Sequence, residues 1–237
     1  MKVVFFPNAG MFASNFNFIK DGMSEFDIEI YEYAHHGSRI LEPEYSDFKS
    51  MIEQISDDLF SRYGDRSIGI CGYCMGSYVA YETTILLRTK YGKEAEFLIV
   101  SGSVPPEEFD KRDRIFSTEQ DFFDYMVSVD GITKEIQSNE RLLKIFLPII
   151  KSDAERLHKI LPTQLNTENI LNTPIGVIYG EDDKEIKEST IQNWRKETKN
   201  FLGVDKLKGN HFFIFENQED AIKSIRKYIQ KAMDLDK

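Results

Sequence analysis

The sequence is poor in cysteine, in long apolar runs and in positive charge. Its 237 residues include two cysteines, Cys71 and Cys74, so a disulfide-stabilised scaffold is excluded. No stretch approaches the about 18 apolar residues of a membrane helix, and the N-terminus lacks the features of a signal peptide. With 40 acidic and 30 basic residues, the net charge of −10 argues against nucleic acid as a partner. We therefore expect a reduced, cytoplasmic protein that binds neither nucleic acid nor a membrane.

The chain nevertheless has enough apolar material for a large core. Hydrophobic residues make up 41% and aromatic residues 13%, which suits a single domain spanning residues 1–237. Short apolar runs alternate with segments of helical periodicity, the pattern of βαβ units. We predict an α/β fold with a mostly parallel sheet and helices on both faces. The predicted strands are 2–6, 26–33, 67–73, 95–103 and 173–183, and the predicted helices outside residues 117–170 are 45–64, 75–92, 188–198 and 219–235.

The pattern changes between residues 117 and 170. Strand signals vanish there, and helical stretches rich in Phe, Leu and Ile take their place. Because strand character returns at residue 173, this block interrupts the sheet and is not an independent domain. We predict that residues 117–170 form a helical lid insertion.

A glycine-flanked turn, "GYCMG" at 72–76, joins the strand 67–73 to the next helix. Two glycines around Cys74 are what a strained strand-to-helix turn carrying a nucleophile requires. The N-terminus of the following helix favours a thiolate and offers N–H groups to an oxyanion. The pattern is equally typical of a buried thiol in a tight turn. A third interpretation, a Cys-x-x-Cys redox pair, is disfavoured because Cys71 belongs inside the strand.

Two further candidates, Asp183 and His211, lie in the last third of the chain, each just after a segment with strand character. Ligands of an open parallel sheet bind at the carboxyl ends of its strands, so these side chains can meet Cys74. The chain order of nucleophile, acid and histidine is that of the α/β-hydrolase triad. On pattern alone, Asp182 competes with Asp183 for the acid position. His211 is equally interpretable as a core histidine between aromatic residues.

The other histidines are His35, His36 and His158. No carboxylate or cysteine stands at ligand spacing from the "HH" pair at 35–36. We therefore expect no metal and no other cofactor.

Ordered motifs spread over residues 3–225 match a single family. They are "FFPNAGMF", "YAHHGSR", "GYCMGSYVAYE", "FLIVSGSVPP", "FLPIIKSDAERL", "TPIGVIYGEDDKEI", "NWRKET" and "GNHFFIFE". With these motifs the chain resembles the type II thioesterases, free-standing α/β-hydrolases associated with nonribosomal peptide and polyketide synthetases.

The resemblance implies a role for each site residue. Cys74 stands at the nucleophile position, His211 at the base and Asp183 at the acid. The oxyanion hole would use the N–H groups of Met75 and Ala9. The helical lid would cover an acyl pocket, which the phosphopantetheine arm of an acyl or peptidyl carrier protein would enter.

The chain departs from the family pattern at three positions. Cys74 replaces the usual serine, Tyr73 replaces the preceding histidine, and Met11 replaces the second glycine of the first loop. Asn210 is a milder departure from the usual glycine before the histidine. Met11 has two interpretations, a narrower acyl pocket or a rearranged loop.

Sulfur at the nucleophile position bears on the reaction. A thiolate exchanges one thioester for another, and water attacks the resulting acyl-cysteine more slowly than an amine does. The sequence therefore leaves three hypotheses: hydrolysis, transfer to an amine, alcohol or thiol, and carrier-protein binding without catalysis.

We expect a monomer, and we expect an acidic carrier protein to dock on a local basic patch, either at Lys144, Lys151 and Arg156 or around Arg39.

Overall fold

The computed structural model describes residues 1–109, 116, 118–158 and 170–235. Within them, six strands form one sheet in the order β2-β1-β3-β4-β5-β6, and every adjacent pair is parallel. The sheet and its helices confirm the predicted α/β fold. The strands are β1 (Lys2–Phe6), β2 (Asp27–Ile30), β3 (Ile68–Tyr73), β4 (Leu98–Ser101), β5 (Ile175–Gly180) and β6 (Phe201–Leu207).

The helices lie in the connections between strands and at the end of the described chain. They are α1 (Asn17–Gly22), α2 (Phe48–Tyr63), α3 (Met75–Tyr91), α4 (Glu119–Ser128), α5 (Lys134–Ser138), α6 (Glu140–His158), α7 (Glu188–Ile191), α8 (Phe213–Glu216) and α9 (Gln218–Asp234). Short 3-10 helices cover Ala13–Phe16, Gly37–Arg39, Pro106–Glu108 and Gln192–Glu197. Among the described residues, no helix has the length and apolar character needed to cross a bilayer.

Both faces of the sheet are covered, as the apolar strands require. Successive side chains of a strand point to opposite faces. Val4 and Phe6 of β1 therefore pack in the core with α2 and α3, while Val3 and Phe5 pack in the core with α1 and α9. Burial on both faces explains why these strands are continuous apolar runs.

The helices α4, α5 and α6 lie between β4 and β5 and share a small core of their own. Phe122, Ile136, Leu147 and Ile150 are buried in it. Residues 117 and 159–169 of the predicted insertion lie outside the described residues. Its role as a lid stays a prediction.

Several predicted elements differ from the observed ones. The strand predicted at 95–103 is the four residues of β4, and the strand predicted at 173–183 is the six residues of β5. The strand predicted at 26–33 is only the four residues of β2. The helix predicted at 188–198 is the four-residue α7 followed by the 3-10 helix Gln192–Glu197. That tighter winding accompanies the complete burial of Trp194, whose indole N–H donates to the carbonyl of Ser103 at 2.9 Å.

Candidate active site

Cys74 occupies a sharp turn between β3 and α3. Its backbone has φ 54° and ψ −117°, a conformation that costs a non-glycine residue about 1–3 kcal/mol. The flanking glycines are required by the close approach of backbone. A Cβ on Gly72 would lie 2.1 Å from the carbonyl oxygen of Gly76, and one on Gly76 would lie 2.0 Å from that of Phe6. The N–H of Cys74 donates to the carbonyl of Ser101 at 2.8 Å, which ties the turn to β4.

The structure brings Cys74, His211 and Asp183 together at the carboxyl ends of the strands. The Nδ1 of His211 lies 2.8 Å from Oδ2 of Asp183, and the His211 side chain also hydrogen-bonds Cys74. Asp183 is buried, and its Oδ1 accepts from the N–H of Glu185 at 3.0 Å. The neighbouring Asp182 is exposed. Of the two candidate acids, Asp183 is therefore the one that contacts the histidine.

The charge state of His211 follows from this arrangement. Burial lowers its pKa, but the negative charge of Cys74 and the hydrogen bonds to Asp183 and Cys74 raise it well above the ordinary value. The structure thus favours a protonated His211 imidazole beside the Cys74 sulfur. A preformed thiolate is the reactive form of a cysteine nucleophile.

Tyr73 holds the backbone of His211, a contact that the sequence did not reveal. The Tyr73 side chain is completely buried, and its hydroxyl donates to the carbonyl oxygen of His211. Its ring also stacks on the imidazole, with centroids 5.7 Å apart and planes inclined by 28°. The only signal in the sequence was that tyrosine stands where the family pattern has histidine.

The two predicted oxyanion donors, Met75 and Ala9, line the same cavity as Cys74. Met75 is the first residue of α3, and Ala9 lies in the loop after β1. Among the backbone hydrogen bonds of the described residues outside helices and strands, none uses either N–H group. Both residues line the cavity that also contains Cys74 and His211. Their role as an oxyanion hole stays a prediction.

This cavity measures about 520 Å³. Its walls come from the loops after β1, β3, β4, β5 and β6, from α3 and α7, and from α4 and α6 of the insertion. The described residues of the insertion that line it are Tyr125, Met126, Val129, Gly131, Ile150, Ala154 and Leu157. Met11 is not among the lining residues and packs instead between the core of the sheet and the core of the insertion. Of the two interpretations of Met11, the packing therefore favours a rearranged loop over a narrower acyl pocket.

Cys71 is separated from this chemistry. It lies within β3, pairs in register with Phe5 and is 1% exposed. Burial raises the pKa of its thiol, so it stays protonated. Both cysteines are free, and Cys71 is a core residue without the exposure that a redox pair needs.

The two adjacent histidines take part in hydrogen bonds and ion pairs. His36 is buried and contacts the carbonyl of Ala34 and the carboxylate of Asp153. His35 lies 3.5 Å from Glu44. Within the described part of the chain, no group of three or more His, Cys, Asp or Glu side chains is arranged to hold a metal ion.

Comparison with known proteins places the chain in a family. The thioesterase domain family matches residues 1–229. Linear gramicidin dehydrogenase LgrE of Brevibacillus parabrevis is 27% identical over 200 residues, which cover 83% of this chain and 74% of that protein. The medium-chain S-acyl fatty acid synthase thioesterase of Rattus norvegicus is 26% identical over 240 residues, covering 99% and 88%. The solved structure of YbtT, a type II thioesterase from the yersiniabactin NRPS/PKS biosynthetic pathway, matches with a TM-score of 0.81 at 20% identity, covering 98% of this chain and 93% of that one. The chain belongs to the thioesterase domain family.

Proposed function

We propose that the protein is a thioesterase that releases acyl or peptidyl groups from phosphopantetheine thioesters on carrier proteins in nonribosomal peptide or polyketide synthesis. The observation that carries this proposal is the hydrogen-bonded chain from Cys74 through His211 to Asp183, which opens on a cavity at the carboxyl ends of the strands. The yersiniabactin NRPS/PKS biosynthetic pathway named for the similar structure YbtT supports the choice of carrier-bound substrates.

In the first half of the proposed reaction, the Cys74 thiolate attacks the carbonyl carbon of the pantetheine thioester. The carbonyl oxygen becomes an oxyanion, which the N–H groups of Met75 and Ala9 would stabilise. The carbon–sulfur bond to pantetheine then breaks, and the His211 imidazolium gives its proton to the departing thiolate. The products are an acyl-Cys74 thioester and the free thiol of the carrier protein.

Acylation prepares His211 for the second half. Once Cys74 is acylated, its negative charge no longer raises the pKa of His211, while burial still lowers it. A neutral imidazole can accept a proton from water as the water attacks the acyl-Cys74 carbonyl. Asp183 holds Nδ1, so that Nε2 faces the reacting atoms. Collapse of the second oxyanion releases the acid and restores the Cys74–His211 pair.

The cysteine supports a second candidate, transfer of the acyl group to an amine, alcohol or thiol. In this reaction the acyl-Cys74 thioester forms in the same way, and the acceptor replaces water in the second step. An amine attacks a thioester readily, so sulfur at this position favours transfer more than serine would.

The docking surface predicted for the carrier protein needs one correction. Arg156 is buried and pairs with Asp153 and Glu44, so it is not available to a partner. Lys144 is exposed and pairs with Glu140, a contact that a carrier carboxylate could replace. Lys144 therefore remains a candidate in the proposed docking patch.

Intact-mass spectrometry of protein incubated with acyl-pantetheine thioesters of several chain lengths, with and without an added amine, tests both candidates. Hydrolysis predicts an adduct on Cys74 that forms and decays in buffer at the rate of turnover. Transfer predicts an adduct that persists until the amine arrives and is then converted to amide. Cys74→Ala should form no adduct, whereas the matched variant Cys71→Ala should behave as the wild type. Absence of an adduct at every chain length would contradict both candidates.

A further inference from the structure

A buried carboxylate on α6 binds the loop that carries Ala9. Asp153 is 1% exposed, and its Oδ2 accepts from the N–H of Gly10 at 2.8 Å and lies 2.9 Å from Nε2 of His36. Its Oδ1 accepts from Nη1 of Arg156 at 2.8 Å. Three donors from three parts of the chain therefore converge on one carboxylate.

The charge of this carboxylate is compensated on two sides. The Nδ1 of His36 lies 2.9 Å from the carbonyl of Ala34, while its Nε2 faces Asp153. Both ring nitrogens therefore face acceptors. Burial lowers the pKa of His36, but the hydrogen bonds to Asp153 and Ala34 and the charge of Asp153 raise it above its ordinary value, which favours the imidazolium. Arg156 supplies the second positive charge and also reaches Glu44 at 3.1 Å. A buried carboxylate with this many partners is held in one position.

The loop after β1 has little freedom of its own. The N–H of Met11 donates to the carbonyl of Asn8 at 3.3 Å, which closes a turn with Ala9 and Gly10 at its centre. Gly10 has φ +71°, and a Cβ there would lie 2.1 Å from Cγ1 of Ile150 on α6. The turn is thus pressed against the same helix that carries Asp153.

Gly10 is bonded directly to Ala9, so the hydrogen bond to Asp153 also orients the Ala9 backbone. The peptide group between the two residues is planar, which leaves only the dihedrals of Ala9 between its N–H and the anchored N–H of Gly10. An oxyanion donor must lie within a few tenths of an ångström of its working position, and a misplacement of about 1 Å can cost on the order of a hundredfold in rate.

We propose that Asp153 is a positioning residue for the reaction: by holding the Gly10 N–H against α6, it aims the Ala9 N–H at the oxyanion. This inference rests on the proposed function, because it needs Cys74 to be acylated. The position of α6, a helix of the predicted lid, would then determine whether the Ala9 N–H points into the oxyanion hole. Asp153 acts through the loop and touches no reacting atom.

The test compares two reactions of Cys74 in Asp153→Asn. Acylation by acetyl-, hexanoyl- and octanoyl-pantetheine develops an oxyanion, whereas alkylation by iodoacetamide does not. Asparagine offers one acceptor oxygen to three donors and turns an NH₂ group toward one of them. We expect acylation to slow by roughly 10- to 100-fold while alkylation of Cys74 stays within about twofold of the wild-type rate.

The matched control is Glu155→Gln, the same change two residues away on α6. Glu155 is exposed and pairs with Lys151 at 3.9 Å. In Glu155→Gln, Cys74 should be acylated and alkylated at the wild-type rates. Rapid-quench intact mass gives both rates, and peptide mass locates each adduct on Cys74.

Each outcome decides the inference. If Asp153→Asn acylates as fast as the wild type, or if both reactions slow together, the positioning role is wrong while the proposed function stands. If the wild type is not acylated by any thioester of the panel, the proposed function fails and the inference with it. Should Asp153→Asn not fold, His36→Gln removes one of the two compensating charges, and we expect a selective loss of acylation of roughly three- to tenfold. Acylation at the wild-type rate in His36→Gln would then overturn the inference.

Discussion

At the scale of single residues, the contact between Cys74 and His211 underlies the two roles that the proposed reaction assigns to the histidine. In the proposed reaction, the His211 imidazolium would give its proton to the departing pantetheine thiolate. The same ring would act as a base after acylation has removed the negative charge at Cys74 that raises its pKa. One side chain would therefore serve as acid and as base in turn.

This pairing predicts the titration of His211 in Cys74→Ala. Removing the thiolate removes the charge that raises the pKa of His211, while burial continues to lower it. The pKa of His211 should therefore fall, so that the variant loses its imidazole proton at a lower pH than the wild type. NMR titration of the histidine ring resonances measures the change. Cys71→Ala is the control, because Cys71 is buried in the sheet. An unchanged pKa in Cys74→Ala would contradict the thiolate–imidazolium pair.

A second prediction at this scale concerns Tyr73. Tyr73→Phe keeps the ring beside His211 and removes the hydroxyl that donates to the His211 carbonyl. We expect kcat to fall by roughly tenfold with little change in KM, because the loss of about 1.4 kcal/mol falls on the placement of the base. Tyr91→Phe is the matched control, since its hydroxyl bonds the surface carboxylate of Asp57 and its ring stacks on Phe60. Equal effects of the two substitutions on turnover of an acyl-pantetheine thioester would contradict a positioning role.

At the scale of elements, the junction of β3, α3 and β1 determines where Cys74 lies. Gly76 lets the first turn of α3 approach the carbonyl oxygens of Phe6 and Pro7 at the end of β1. The same approach brings the loop that carries Ala9 beside the N-terminus of α3.

Gly76→Ala should therefore separate these elements. The added Cβ would lie 2.0 Å from a backbone oxygen, which no rotamer change relieves, and we expect the free energy of unfolding to fall by about 3 kcal/mol. Gly92→Ala is the comparison, because its Cβ meets no atom within 4 Å. Its left-handed backbone, with φ +65°, should cost only about 1–2 kcal/mol. Urea unfolding measures both values, and similar losses would argue against a backbone clash at Gly76.

At the scale of the whole molecule, the insertion between β4 and β5 packs on the sheet as well as on itself. Asp153 and Ile150 of α6 contact the loop after β1, and residues of α4 and α6 line the cavity around Cys74. From these contacts we expect the insertion to unfold together with the sheet.

The expected consequence is a single unfolding transition. The chain contains one tryptophan, Trp194, which is completely buried outside the insertion and therefore reports on the packing around the sheet. Far-UV circular dichroism reports on all helices, including those of the insertion. Urea unfolding curves from the two signals should coincide, as two-state unfolding requires. Loss of helical signal at lower urea than the change in tryptophan fluorescence would mean that the insertion unfolds separately.

Much of the site could be predicted from local pattern. The glycine frame around Cys74 is a property of five consecutive residues, and the aspartate and histidine each follow a segment with strand character. The choice between Asp182 and Asp183 was not available from pattern, because adjacent residues differ only in which one the folded loop turns inward. The same limit applied to Tyr73, whose partner is a backbone atom 138 residues away.

The sequence by itself determined the α/β fold and the position of Cys74 in the turn between strand and helix. Strand period, helix period and a glycine turn are set by the sterics of neighbouring residues, so they can be read along the chain. Only the tertiary structure decided that Asp153 holds Gly10 and His36, which lie 143 and 117 residues away. The physical reason is that a buried charge needs hydrogen-bond donors, and these come from whichever segments packing brings next to it. No local sequence pattern predicts which segments those are.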